Sequence, residues 1–232
     1  MIEISNLDFV YPRSSFRLGI KHLLIEPGEK LAIIGPSGSG KTTLLNLLAG
    51  IVIPGSGQVQ IGDVDVAALN DRQRRDFRIA QIGFVFQQFE LLDYLKVKDN
   101  ILLPFFINPS LAESVSPELR LERAQALAKA MGIEDKLQRR PSKLSQGEKQ
   151  RVAICRALVI QPKLILADEP TGNLDPTTKL KTLDLLFEQA QANGQTLVCV
   201  THDMAILDGF DRVVDFADFQ VNDQVAAAGT TA

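Results

Sequence analysis

Apolar and polar positions along this chain follow two different periods. Short β-branched or apolar runs at Leu31–Ile34, Ala80–Phe86, Leu164–Ala167, Thr196–Val200 and Arg212–Phe216 read as strands. Segments of helical period lie between and around them, including Leu44–Ala49, Pro117–Met131 and Gln146–Val159. Strands alternating with helices predict an α/β fold, a mainly parallel sheet with flanking helices. Two stretches depart from this pattern. Ile2–Tyr11, Ile20–Ile25 and Gly57–Val66 are strand-like runs with glycine turns, which predict an antiparallel β subdomain beside the core. From Gln87 to about Gln161 the period is helical, broken by the Pro- and Ser-containing stretch Asn108–Pro117, which predicts an inserted α-helical subdomain. The expected organisation is one domain over 1–232, with its core in 1–86 and 162–225, the helical subdomain in about 87–161, and a frayed tail at 226–232.

Composition narrows the classes. The 232 residues carry 25 Lys plus Arg against 28 Asp plus Glu, a net charge of -3 that argues against a generic polyanion binder. With 45% hydrophobic residues the chain can bury a core without disulfide or metal staples. The first residues hold acidic Glu3 and Asp8 and show no secretory signal. The apolar stretch Ile101–Ile107 contains Pro104 and falls far short of the roughly 18 residues of a membrane span. Cys155 and Cys199 fit no CxxC pattern and read as buried, reduced thiols. Arg72, Arg74, Arg75 and Arg78 are interleaved with Asp71 and Asp76, the pattern of a solvated helix face, so no nucleic-acid partner is expected.

Three of the strand-like runs end where unusual loop residues begin, at Gly35, Asp168 and Thr201. Gly35-Pro36-Ser37-Gly38-Ser39-Gly40-Lys41-Thr42-Thr43 fits G-x-x-x-x-G-K-[ST] between an apolar run and a helix-like one, the context of a phosphate-binding loop. Glycines let successive N–H groups turn inward, the following helix adds its positive end, Lys41 meets the β- and γ-phosphates, and Thr42 offers a hydroxyl to Mg²⁺. Pro36 removes one of the donors. Leu164–Glu169 is an apolar strand ending in two carboxylates whose side chains point to opposite sides. Asp168 is placed to hold Mg²⁺, and Glu169 to orient or deprotonate a water attacking the γ-phosphate. Gln87 and His202 stand at the ends of two further runs, where Gln87 reads as a bridge between metal and water and His202 as a partner of γ-phosphate or water.

Leu144-Ser145-Gln146-Gly147-Glu148 opens a helix-period run and resembles the signature of the ATP-binding-cassette ATPases, usually LSGGQ. The resemblance spans nearly the whole chain in order: Tyr11, the Walker A loop, Gln87 of the Q-loop, the signature, Walker B at Leu164–Glu169, the D-loop with Asp175, and the switch residue His202. It implies a P-loop NTPase core that binds ATP and Mg²⁺, with Tyr11 stacked on adenine in competition with Phe9 and Phe16. It also implies head-to-tail pairing of two cassettes, as a homodimer or heterodimer, each offering Ser145, Gln146, Gly147 and Glu148 to its partner's ATP. Catalysis would then fall to Glu169, His202, Lys41 and Gln87, and metal binding to Thr42, Gln87 and Asp168. Ser145-x-x-Glu148 is at the same time a capping box, which predicts that Glu148 turns back onto the Ser145 N–H and away from phosphate.

The motifs Ala167–Asp175 and Gly83–Gln87 are similar to those of lipoprotein-release, macrolide-export and cell-division cassettes. The resemblance implies an ATPase subunit, peripheral on the cytoplasmic face of the inner or plasma membrane, that drives an integral membrane permease through about Phe89–Asn100. The alternative from another class is a soluble cassette ATPase of DNA repair, translation or iron–sulfur assembly.

Overall fold

The structure is a computed structural model and describes residues 1–219; the expected tail at 226–232 lies outside the described residues. Among the described residues nine strands form two sheets. The first is antiparallel: β1 (Ile2–Val10) pairs with β2 (Arg17–Ile25) on one side and β4 (Ser56–Ile61) on the other, and β5 (Val64–Asp65) extends the β4 edge. The second is parallel and has the order β6 (Ile82–Val85), β7 (Leu164–Asp168), β8 (Thr196–Thr201), β3 (Lys30–Ile34), β9 (Arg212–Asp215).

Strand alternation divides the apolar residues of the parallel sheet between two cores. Leu31, Ile33, Leu166, Val198 and Val200 pack with α1 (Lys41–Leu48) and the antiparallel sheet. Ile165, Ala167, Leu197 and Cys199 pack with helices on the other face. An eight-residue helix such as α1 is marginal in water, so its stability must come from packing. Leu44, Leu45, Leu47 and Leu48 supply it: each is at most 1% exposed, and burial contributes roughly 2 kcal/mol per side chain.

Between β6 and β7 the chain is helical, as the period predicted: α3 (Val97–Ile107), α4 (Pro109–Glu113), α5 (Pro117–Ala130) and α6 (Gln146–Leu158). The Asn108–Pro117 interruption is not merely a loop. Asn108 caps the short α4 by accepting from the Leu111 N–H, and Ser116 caps α5 with Pro117 at its first position. α7 (Pro176–Ala192) joins β7 to β8. Several boundaries differ from expectation: β2 starts at Arg17 and not Ile20, α1 at Lys41 and not Leu44, and β6 later than Ala80. Ala80 and Gln81 finish α2 (Asp71–Gln81), whose start is fixed by a reciprocal cap between Asn70 and Gln73, so β6 is only Ile82–Val85. Three of the four α2 arginines meet acids on the helix, Asp71 pairing with Arg74 and Arg75 and Asp76 with Arg72, but Arg78 turns inward and donates to the Ala49 carbonyl at 3.0 Å.

Candidate nucleotide site

Parallel pairing sets the C-terminal strand ends level. Ile34 stands opposite Thr201, Asp168 opposite Val200, and Val85 opposite Ala167. The polar residues that follow each strand therefore open at one edge of the sheet, where α/β folds place ligands. With Tyr11 and Phe16 from the loop joining β1 to β2 they line an open cleft of about 770 Å³.

Residues Gly35–Gly40 curl over the start of α1, which has no acidic side chain in its first turn to neutralise its positive end. Gly40 is required twice: its φ is 111°, and a Cβ there would lie 2.4 Å from Phe16 Cζ. Lys41, only 6% exposed, donates from its ammonium to the carbonyls of Gly35 at 2.8 Å and Pro36 at 2.9 Å. The Ser39 hydroxyl is buried without a hydrogen-bond partner among the described residues. An orphaned hydroxyl, a bent-back lysine and an uncompensated helix start form a cradle suited to phosphate oxygens.

Tyr11 places its hydroxyl 3.3 Å from Thr43 Oγ1, and its ring edge-on to Phe9, with ring centres 4.7 Å apart. Phe9 is 5% exposed and belongs to the core, so Tyr11 and Phe16 alone among the three aromatics face the cleft. His22 lies away from it, 3.1 Å from Glu3 across the β1–β2 pair.

Asp168 is hydrogen-bonded by the Thr42 side chain, which brings the proposed metal pair together. Burial raises its carboxyl pKa, with Thr42 opposing, neighbouring Glu169 adding, and Lys41 opposing. Thr42, Asp168 and Gln87 offer oxygen ligands on the walls of the cleft, a hard donor set that fits Mg²⁺. Among the described residues no group of three His, Cys, Asp or Glu side chains is arranged to hold an ion.

Glu169 leaves the strand in a left-handed conformation, φ 46°, held by its N–H to the Val200 carbonyl at 3.0 Å. That turn brings its carboxylate to His202, Oε1 to Nδ1 at 2.7 Å, and to the Thr201 hydroxyl at 3.5 Å. The sequence assigned no role to the Thr201 side chain, and it offered Phe16 only as a competitor of Tyr11 for adenine, whereas both rings line the cleft. A hydroxyl at the level of the paired carboxylates was the signal for the first.

The signature residues are elsewhere. Ser145 accepts from the Glu148 N–H at 3.2 Å, and Glu148 Oε2 accepts from the Ser145 N–H at 2.8 Å, which is the capping box the spacing implied. Ser145, Gln146 and Gly147 line a second concavity of about 290 Å³ together with Arg151, Asn173 and Asp175. Asp175 caps α7 by accepting from the Thr178 N–H at 3.1 Å. Gly147 permits the close approach of α6 to α7, because a Cβ there would meet Thr178 Cγ2 at 2.5 Å. The cleft and this concavity share no lining residue.

The family model described as ABC transporter matches residues 20–172, which takes in the phosphate loop, Gln87, the signature and the Asp168–Glu169 pair. The chain belongs to the ABC transporter family. It is an ABC-type ATPase, similar to the ATP-binding subunits of transporters. Among curated relatives, the lipoprotein-releasing system ATP-binding protein LolD of Legionella pneumophila (strain Paris) is 43% identical over 192 residues, covering 83% of this chain and 82% of that protein. The macrolide export ATP-binding/permease protein MacB of Rhodopirellula baltica is also 43% identical, over 90% of this cassette but only 30% of its own length. Among solved structures, a dimeric ATP-binding cassette in a post-hydrolysis state bound to ADP and Pi aligns with TM-score 0.82 at 36% identity, over 93% of this chain and 94% of that one. Among the described residues of this cassette no helix is long and apolar enough to cross a membrane.

Proposed function

We propose that two cassettes, copies of this chain or this chain and a homologous subunit, close head to tail over two ATP molecules and hydrolyse them to drive a membrane permease. The observation that carries this reading is the division of one chemical site into two concavities with no residue in common. The cleft has phosphate-binding amides, Lys41 and the Glu169–His202 pair, and the second concavity has a capped helix start at Ser145 and Gly147. Each needs the other supplied from outside.

Within the cleft, Tyr11 stacks on adenine, and the backbone amides of the Gly35–Thr43 loop with Lys41 hold the β- and γ-phosphates. Thr42, Gln87 and Asp168 would hold Mg²⁺, which would supply charge neutralisation for the phosphates. Glu169 takes a proton from water as the water oxygen bonds to the γ-phosphorus and the bond to the β–γ bridging oxygen breaks, giving ADP and phosphate. His202 fixes the Glu169 carboxylate, and Gln87 reports γ-phosphate to the segment after it. The partner's Ser145–Glu148 segment and Asp175 complete the enclosure.

Membrane coupling is supported by the names of the relatives, one for lipoprotein release and one for a fused macrolide export ATP-binding/permease protein. We place the cassette on the cytoplasmic face of the membrane, docked through Phe89–Asn100 on a permease of an export, lipoprotein-release or force-transmitting type. Replacing Glu169 by Gln tests the core of the proposal. Steady-state hydrolysis should fall at least about 100-fold, the scale of general-base catalysis, and size-exclusion chromatography with ATP should show a stable dimer. A Glu169→Gln chain that hydrolyses at the parental rate and stays monomeric overturns it.

A further inference from the structure

Arg156, in the outer half of α6, is a buried cation that the phosphate chemistry does not use. It is 8% exposed, and burial draws its guanidinium down to about 10, against the pull of Glu90, so it stays charged at neutral pH. A buried guanidinium is worth its desolvation only where its donors are matched. Here they go to main-chain carbonyls: Arg156 Nη2 to Phe89 at 2.6 Å, and Nη1 to Glu90. Both acceptors belong to residues held in left-handed backbone, φ 57° and 48°, two and three positions after Gln87. The carbonyl of Gln87 itself accepts from Asn173 Nδ2 at 2.7 Å.

Three carbonyls of the 87–90 loop therefore hang from two side chains, and both side chains lead to the signature concavity. Arg156 belongs to the helix capped by Ser145, and Asn173 lines that concavity directly. Beyond Glu90 the chain is not slack. The fully buried Asn100 accepts from the Leu92 N–H at 2.8 Å and donates to the carbonyls of Leu92 and Lys96, both at 3.1 Å. A shift at Glu90 is carried into the segment that reaches Tyr94.

We propose that Arg156 and Asn173 are positioning residues that suspend the loop after Gln87, Arg156 from the far end of the signature helix α6 and Asn173 from the wall of the signature concavity, so that capture of the partner's nucleotide moves the membrane-facing segment Phe89–Asn100. The inference rests on the dimer reading above and deepens it by naming the mechanical link.

The test uses the full chain carrying Glu169→Gln and Tyr94→Cys, with a nitroxide on residue 94. Tyr94 is 71% exposed, whereas Cys155 and Cys199 are fully buried with thiol pKa values pushed up, so labelling is selective. The readout is the ATP-induced change in the nitroxide spectrum, divided by the dimer fraction from size-exclusion chromatography. Arg156→Met should remove at least three quarters of that change, Arg156→Lys should regain at least half of the loss, and Asn173→Asp, which cannot donate, should halve it. A parent chain that dimerises with no change at residue 94, or an Arg156→Met chain that dimerises and responds like the parent, overturns the link. Should Arg156→Met fail to fold, Asn173→Asp decides alone, since Asn173 is exposed. A parent that forms no dimer with ATP refutes the dimer reading itself, a distinguishable result.

Discussion

Glu148 stands where the family signature has a neutral amide, and its charge allows a quantitative prediction. Its carboxylate accepts from the Ser145 N–H at 2.8 Å and lies 3.6 Å from Lys136 Nζ. Glu148→Gln keeps an oxygen for that N–H but turns a charged hydrogen bond into a neutral one, a loss of about 1 kcal/mol, and gives up an ion pair worth about 0.5 kcal/mol. Glu148→Ala removes the acceptor as well, and a lost cap costs about 1 kcal/mol more. For a chain of this size each kcal/mol moves Tm by roughly 2–4 °C, so Gln should lower it by about 3–6 °C and Ala by about 5–10 °C. The pH dependence has a fixed sign. The Ser145 N–H holds the carboxyl below its ordinary value, burial opposes and Lys136 assists, so the carboxylate's contribution is present above about 4.5 and is lost as pH falls through the lower folded value. Thermal melts should show the parent–Gln gap in full at pH 7 and shrinking below pH 4.5. Steady-state ATPase activity should stay within a few-fold, because the charge is turned into the cap. A tenfold gain in Glu148→Gln would mean that about 1.4 kcal/mol of repulsion had acted on nucleotide, which refutes the reasoning. A gap that ignores pH refutes it as well.

Two further substitutions probe contacts around the same centre. Gly147→Ala drives a methyl into Thr178 Cγ2, so hydrolysis should drop at least about tenfold, and Thr178→Ser, which removes that methyl and keeps the hydroxyl, should restore more than half. A double variant no better than Gly147→Ala would show that the contact is not the cause. Lys179, in the first turn of α7, pairs with Asp203, the neighbour of His202, and each is 22% exposed. Losing the pair costs on the order of 1 kcal/mol, so Lys179→Ala should cut kcat about fivefold at unchanged KM for ATP, and the charge-reversed double substitution should recover part of it. A parental kcat in Lys179→Ala excludes the pair from positioning the switch.

Local chemistry explains what was readable from the sequence. The glycine loop, the strand-end carboxylates and the Ser145–Glu148 box are each contiguous, so spacing alone exposes them, and the structure brings the first two into one cleft with Gln87 and His202. The Ala80–Phe86 run misled because apolar residues at a helix end and at a strand start look alike; the Asn70–Gln73 cap marks where α2 begins, but its end shows only in the turn to extended backbone at Ile82. Arg156 and Asn173 were invisible for a different reason. Their acceptors are backbone carbonyls 67 and 86 positions away, and a carbonyl leaves no trace in residue type. The available clue was a cation set among the buried Val152, Cys155 and Val159 on a helix whose buried face holds one other long polar side chain, Gln150.

The geometry of α6 bears on how far a displacement can travel. Ser145 and Arg156 are separated by about 16 Å of helix at 1.5 Å per residue. The half of the shaft nearer Arg156 is buried, with Val152, Ala153, Ile154 and Cys155 at most 1% exposed, whereas Gln146 is exposed and Glu148, Lys149 and Arg151 are half-buried. β6 lies directly beneath its far end, where a Cβ on Gly83 would come within 2.5 Å of the Ala157 carbonyl. So close a contact leaves no room for α6 to sink toward the sheet, and a close-packed interior does not absorb a shift by compressing. A pull on the Ser145 end must therefore appear at Arg156 as a tilt or slide of the whole helix, and the carbonyls of Phe89 and Glu90 are the first groups it meets there.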